Sequence, residues 1–411
     1  MSEFPAGSQQ LLSSLNTRAI LELVDELGPV ARPEITAKSG LSKTAVARIL
    51  VELERSGIVS RVGTDTERRG PAAAIYAIER EYALAGAAEI GHHYTRAAIV
   101  DLSGRTLGSA TAHSARGSTE ETATLVEKLL RAAGAAGHTT LEALNRVVVA
   151  VPAAVARDGS NLTLASGLPN DGAELTDHLH RRIPVILTFE NDTNLAALAE
   201  ARTDPAASAD SFALISVGAS VGVGIVIDKR LYRGHNHIAG EVAYLPRFAS
   251  EEFHGTLPSG LSLPIGSESI AADASLEGVD PALSAHDIFD LARSGDANAL
   301  AVTLRTARRL AQYAATIALV LDPEFIVLGG SIGSNVDLLA KPVRDYLAVH
   351  VPEARSRVIG TSAGVDPVLR GACLTAASDS RDSIFAAVCN RPGRGSQENR
   401  DHFATRGDQR S

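Results

Sequence analysis

The chain has 411 residues, 45% of them apolar and 21% charged, with a formal net charge of -9. That balance belongs to a globular protein with material for two to three domains. No apolar run reaches the roughly 18 residues that a membrane span needs. The N-terminus also lacks the basic-then-apolar pattern of a secretory signal, so the chain is expected in the cytoplasm without a membrane partner. Two cysteines, Cys373 and Cys389, are too few for a disulfide framework or a four-ligand metal site and are expected as packing residues.

Residues 1–8 are expected to be disordered. Leu11, Leu12, Leu15, Ile20, Leu23, Val24 and Leu27 then trace a helical stripe, and its interruption at Asn16-Thr17 predicts a capped restart. The stretch from Arg32 to Gly57 reads as two helices. Pro33 stands at a first helical position, Ser39-Gly40-Leu41 supplies a break, and Ser42 is an N-cap for the second helix. In that helix Val46, Ile49, Leu50 and Leu53 fall at the spacing of one buried face. Ser42, Lys43, Thr44, Ala47 and Arg48 are left on the other, a short, polar, basic surface suited to phosphates and base edges in a major groove. An ordinary helical hairpin with a solvated face has the same pattern. The next segment favours DNA: Ile58 to Val62 and Ala74 to Ile78 read as strands joined by a loop carrying Arg68-Arg69-Gly70-Pro71. Two helices and a hairpin with a basic tip make a winged helix-turn-helix, with Arg68 and Arg69 placed to reach phosphates or a minor groove.

Divided along the chain, the charge is compatible with this reading. Residues 1–80 hold ten basic and ten acidic side chains, so the negative excess lies beyond them. Lys43 to Pro71 carries six basic and four acidic residues, a patch modest enough that affinity is expected to rest on dimerisation and specific contacts.

Beyond a boundary near Arg80 to Tyr82 the chain becomes rich in Ala, Gly and Val. Strands are predicted at 85–90, 97–101 and 106–112, a helix at 120–133, strands at 147–151 and 185–190, and a helix at 194–202. A similar order then restarts, with a meander at 212–217, 222–227 and 231–232, a helix at 301–321 and a strand at 325–328 that ends at Gly329-Gly330. Two lobes of mixed sheet and helix with a cleft between them are expected. Val365 to Ser378 reads as a last helix packing back on the first lobe. The polar tail from Asn390, with its five arginines, is expected to be disordered.

The residues that punctuate this pattern carry a resemblance. Leu41-Ser42-Lys43, Glu190 to Asn194 (ENDTN), Gly218 to Gly224 (GASVGVG), Gly240-Glu241-Val242 and Asp322 to Gly330 (DPEFIVLGG) occur in the order and spacing of the ROK family. The chain resembles its repressor branch, over about residues 12–380. The resemblance implies a two-lobed α/β fold of the sugar-kinase and actin-like ATPase type behind the winged helix-turn-helix. The expected division is 9–80 for DNA binding, 84–202 with 365–385 for the first lobe, 203–364 for the second, and 390–411 for the tail.

The resemblance also assigns candidate ligand residues. Asp192 stands where the family's kinases have the general base for a sugar hydroxyl, and Asn191 beside it offers both donor and acceptor. The pair can equally cap the next helix. Glu241 keeps an acidic sugar contact, Glu268 matches a second if one residue is deleted beside it, and Tyr244 stands where the family has a histidine, either stacking on a sugar face or filling the space. The family's zinc loop corresponds to Tyr244 to Glu268, which contains no cysteine. Its lone imidazole, His254, reads as a surface residue, so no metal is expected. The kinases' first phosphate turn, an Asp with two glycines and a Thr, is here Glu89-Ile90-Gly91-His92-His93-Tyr94 with the threonine displaced to Thr95. His92 and His93 add bulk where backbone must approach phosphate, so no nucleotide cofactor and no kinase activity are expected. Gly218 to Gly224 reads as a phosphate turn or a tight hairpin, and Gly329-Gly330 as an adenosine seat or a strand end. The expectation is a repressor that binds a double-stranded operator as a homodimer or tetramer and responds to a sugar or sugar phosphate. The alternatives are a sugar kinase, or a regulator with a vestigial pocket.

Overall fold

The computed structural model describes residues 7–65, 72–165, 167–245, 265–280 and 282–389. Arg68, Arg69, His254, the first residues of the chain and the tail from Asn390 lie outside them, and with them those expectations. The chain divides into two compact units, the first formed by Met1–Leu84, Asp101–Ser103 and Ala377–Ser411, the second by Ala85–Val100 and Gly104–Ala376.

In the first unit, α1 (Gly7–Leu27), β1 (Val30–Ala31), α2 (Arg32–Ser39), α3 (Lys43–Ser56), β2 (Val59–Asp65) and β3 (Ala73–Ile78) succeed one another. The strands pair as β1-β3-β2, all antiparallel, giving the layout of a winged helix. Ser42 caps α3 by accepting from the amide of Ala45 at 3.2 Å, and Gly40 and Gly57 close the two helices in the left-handed conformation. Val46, Ile49, Leu50 and Leu53 are the buried residues of α3, as their spacing requires.

Two expectations need correction. First, α1 does not restart at Asn16-Thr17. The Thr17 hydroxyl donates to the Ser13 carbonyl at 3.0 Å, satisfying itself inside one continuous helix. Second, the last helix runs from Pro367 to Cys389, and its part from Ala377 clusters with the first unit, whereas 377–385 was expected in the first lobe. Ile384 and Phe385 are buried in one cluster with Ile20, Leu21 and Ile35, Arg381 donates to the Leu102 carbonyl at 2.8 Å, and Arg18 pairs with Asp382. Burial of those two apolar side chains is what draws the helix end there.

In the second unit the sequence first gives β4 (Ala85–Ile90), β5 (Tyr94–Val100), β6 (Thr106–His113), α4 (Thr119–Ala136), β7 (Arg146–Val151), the short hairpin β8 (Ala154–Val155) and β9 (Leu162–Thr163), α5 (Leu175–Arg182), β10 (Ile186–Asn191) and α6 (Asp192–Glu200). It continues with β11 (Phe212–Val217), β12 (Val221–Ile227), β13 (Arg230–Leu231), α7 (Ser267–Leu276), α8 (Ala285–Arg293), α9 (Ala297–Leu321), β14 (Phe325–Gly329), α10 (Gly330–Gly333), α11 (Val336–His350), β15 (Arg357–Gly360) and α12 (Pro367–Cys389).

Two five-stranded sheets result, β6-β5-β4-β7-β10 and β13-β12-β11-β14-β15. Each is an antiparallel meander whose first strand pairs in parallel with a fourth, which pairs in parallel with a fifth. The repeat expected from the restarted strand order is therefore present at the level of hydrogen-bonded topology. The parallel strands β7 and β14 are buried along nearly their whole length, which is why they read as unbroken apolar runs. Cys373 packs in the interior, and burial pushes its thiol up to about 12.

Candidate functional site

β7 and β10 run in parallel and end together at Val151 and Asn191. Ligands of such sheets bind beyond the carboxyl ends of the strands, and a cavity of about 340 Å³ lies there. Its walls include Asn191, Asp192, Glu241 and Tyr244, together with Pro152, Ser220 and His92. Four of the five candidate ligand residues are thus on one cavity. Glu268, exposed in the first turn of α7, does not line it.

Of the two roles considered for it, Asn191 performs the capping one, and its side chain also borders the cavity. Its side-chain oxygen caps α6 by accepting from Asn194, while its amide nitrogen donates to the Ala153 carbonyl at 3.2 Å and reaches Glu241 at 3.4 Å. Glu190 behind it is buried, accepting from Asn194 and from Arg233 at 2.6 Å, so it braces the strand end and is turned away from solvent. Gly240 brings Glu241 into place. It has a φ of +92°, and an added Cβ would stand 1.8 Å from the Val223 carbonyl oxygen, a position that admits no side chain.

The electrostatics are set by desolvation. Asp192 accepts from the Thr193 amide at 2.6 Å and its hydroxyl at 3.2 Å, yet burial outweighs both bonds and pushes its carboxyl up to about 6. Burial and the charge of Asp192 push Glu241 to about 7. Glu89 on β4, which the sequence marks only as a departure from the phosphate turn, belongs to this set. It also rises to about 7, chiefly through burial and against the opposing pull of Arg96, which stands across from it on β5. Its Oε2 atom is buried and has no hydrogen-bond partner among the described residues. Carboxyl groups poised to exchange protons and accept hydroxyl hydrogen bonds suit polyol recognition and proton abstraction alike.

The segment from Gly218 to Val223 lines the cavity, and some of the glycines also allow close packing. An added Cβ at Gly222 would stand 2.7 Å from the Thr193 hydroxyl, and at Gly224 2.5 Å from the Ala197 Cβ, so these glycines let β12 lie against α6. Gly330, with a φ of +80°, passes within 2.4 Å of the Val217 carbonyl by the same measure. At the first phosphate turn, the Gly91 amide is engaged by the Tyr94 carbonyl at 3.0 Å. Thr95 is fully buried and bonded to Ser114 at 3.1 Å, which leaves its hydroxyl engaged within the fold.

In the first unit, Ser42, Lys43, Thr44 and Arg48 are exposed at the start of α3 and Ala47 is half-buried. Arg48 is held by Glu52 across one helical turn at 3.3 Å, an exposed pair that a phosphate can displace at little cost.

The family model described as ROK family matches residues 85–378. A glucokinase of Halalkalibacterium halodurans is 30% identical over 46% of the chain and 64% of its own length, so the chain spans just under two thirds of that relative. A xylose repressor of Caldicellulosiruptor bescii is 21% identical over 83% of the chain and 89% of the repressor. Among solved structures, a transcriptional regulator described as a homolog of the Escherichia coli MLC protein superposes with a TM-score of 0.73 at 18% identity, covering 91% of this chain and 99% of that one.

Proposed function

The chain belongs to the ROK family, and we propose that it is a DNA-binding transcriptional regulator whose cavity beside Asp192 takes a sugar-class effector. The observation that carries this reading is the convergence of Asn191, Asp192, Glu241 and Tyr244 on one cavity, in a chain whose first unit presents the polar face of α3. The near full-length likeness to a repressor supports it. The carboxyl groups accept hydroxyl hydrogen bonds, Asn191 fixes Glu241, and Tyr244 offers an aromatic face to a sugar ring. A ligand that fits one arrangement of the lobes better than another shifts the population toward it, and DNA affinity changes by that preference. The DNA is proposed to be a pseudo-palindromic operator bound by a homodimer or tetramer through Ser42, Lys43, Thr44, Ala47, Arg48 and the wing residues Arg68 and Arg69. Among the described residues no helix is long and apolar enough to cross a membrane.

The kinase reading has its own support, because Asp192 stands at the family's general-base position and is pushed toward neutrality. We place it second: the Gly91 turn is closed on itself and Thr95 is buried. A thermal melt against a sugar panel, with and without Mg-ATP, separates the two. A shift with sugar alone is expected, while a further shift with ATP and sugar-dependent ADP formation would overturn the ranking.

A further inference from the structure

The second five-stranded sheet ends at β15, and among the described residues no strand pairs with its outer side. The amides of Arg357 and Thr361 donate back to the carbonyls of Glu324 and Leu328, each at 2.9 Å. Peptide groups alternate sides along a strand, so those of Val358 and Gly360 face outward. A groove of about 560 Å³ follows this edge, between β15 and the end of α11. Leu347 and Ala348 of α11 and Ile359 of β15 give it apolar walls. Its charged lining is Arg344, Arg355 and Arg357, without a carboxylate, in a chain whose net charge is -9. All three arginines are exposed. Arg344 reaches the Val358 carbonyl at a long 3.4 Å, and Arg357 lies over the Phe325 ring with its guanidinium 5.0 Å from the centroid. Among the described residues Arg355 has no hydrogen-bond or ion-pair partner.

Arginines on a sheet edge have a plain role, which is to deter a like edge from pairing with it. That role needs charge alone, whereas this edge also sets outward peptide groups beside an apolar groove. We propose that the open edge of β15 is a docking site for an acidic, extended segment of a partner protein, which adds to the sheet as a further strand. Its main chain would exchange hydrogen bonds with Val358 and Gly360, displacing the long Arg344 contact. Alternate side chains would enter the groove against Leu347 and Ala348, and its carboxylates would meet the three guanidiniums. The charge that repels a like edge thereby selects an acidic one. β15 has only four residues, so the added strand is short and charge must supply much of the affinity. A nucleic acid would satisfy the arginines but leave the Val358 carbonyl and the apolar walls without partners. The proposal is independent of what occupies the Asp192 cavity.

Fluorescence anisotropy of the full chain with labelled peptides tests this. A peptide of alternating glutamate and valine is expected to bind about tenfold or more tightly than its lysine-valine counterpart, with an affinity that falls as salt rises. Methylating the backbone nitrogens of that peptide removes its main-chain donors and keeps its charge, and is expected to weaken binding by about fivefold or more. Joint replacement Arg355→Gln and Arg357→Gln is expected to cost about tenfold, and Arg355→Glu to narrow or reverse the preference for glutamate over lysine. Both side chains are exposed, so these variants are expected to fold, and an unchanged melting temperature verifies it. Absence of binding, or binding that survives backbone methylation or the arginine replacements, would overturn the proposal. Displacement of the peptide by a random-sequence DNA duplex, lost in Arg355→Glu, would assign the groove to nucleic acid and overturn it as well.

Discussion

Replacing Asp192 with asparagine is predicted to stabilise the unliganded protein while destroying its response to sugar. Burial raises this carboxyl from its ordinary 3.8 to about 6. At about 1.4 kcal/mol per tenfold, that corresponds to roughly 3 kcal/mol of folding stability withheld when the group is charged. Water in the cavity screens part of it, and roughly 2 kcal/mol is the better expectation. Asparagine keeps the oxygen that accepts from the Thr193 amide and hydroxyl, so the variant removes the charge without orphaning those donors. Because the folded-state pKa lies above the unfolded one, the native state holds this proton more tightly. Stability therefore falls as pH rises from about 4 to about 6, and the cost is constant above that. The advantage of Asp192→Asn is accordingly full near pH 8 and fades below about pH 6. Relief of Glu241 and Glu89, both raised in part by Asp192, adds in the same direction. Scanning calorimetry near pH 8 should show a rise of about 4–8 °C, a much smaller rise near pH 4.5, and no further shift on adding a sugar that stabilises the wild type. A lower melting temperature near pH 8, or the same rise at both pH values, would refute the reasoning.

Three further predictions concern other parts of the chain. Arg48→Ala should weaken operator binding tenfold or more and reduce the salt slope by about one, while leaving the melting temperature unchanged, since its pair with Glu52 is exposed; mobility-shift titrations at several salt concentrations read both. Phe385→Ala should cost the first unit about 3 kcal/mol, because the ring is 3% exposed within that unit's core; urea unfolding that moves by under about 1 kcal/mol would contradict the placement of the last helix. Gly240→Ala should abolish sugar-induced stabilisation, because the new Cβ would stand 1.8 Å from the Val223 oxygen and displace Glu241; an unchanged sugar titration would show that this loop does not shape the site.

Much of this molecule is legible because burial writes a period into sequence. The α3 stripe can be read residue by residue, and Phe212–Val217 emerges with its full bounds, since a strand buried on both faces is an apolar run with marked ends. β1 is not legible: two residues, Val30 and Ala31, have no period, and their strand exists because β3 offers an edge. The end of α12 is obscured by Ser378 to Ser383, a polar stretch in which Ser380 is nevertheless fully buried. At the cavity, Asn191, Asp192, Glu241 and Tyr244 are carried by short motifs that survive in the chain. Glu268, whose match to the family depends on a deletion beside it, is exposed and does not line the cavity. Glu89 escapes a sequence reading because its setting opposite Arg96 arises from the register of β4 with β5, which no local pattern records.

The most direct test of an effector-controlled regulator is the affinity of the full chain for an operator selected from random double-stranded DNA, titrated with each sugar or sugar phosphate that stabilises the protein. Specific binding to a two-fold site is predicted, with a change in affinity of about fivefold or more for at least one such ligand, lost in Asp192→Asn. Failure to select any DNA, or an operator affinity identical with and without every ligand that occupies the cavity, would contradict it.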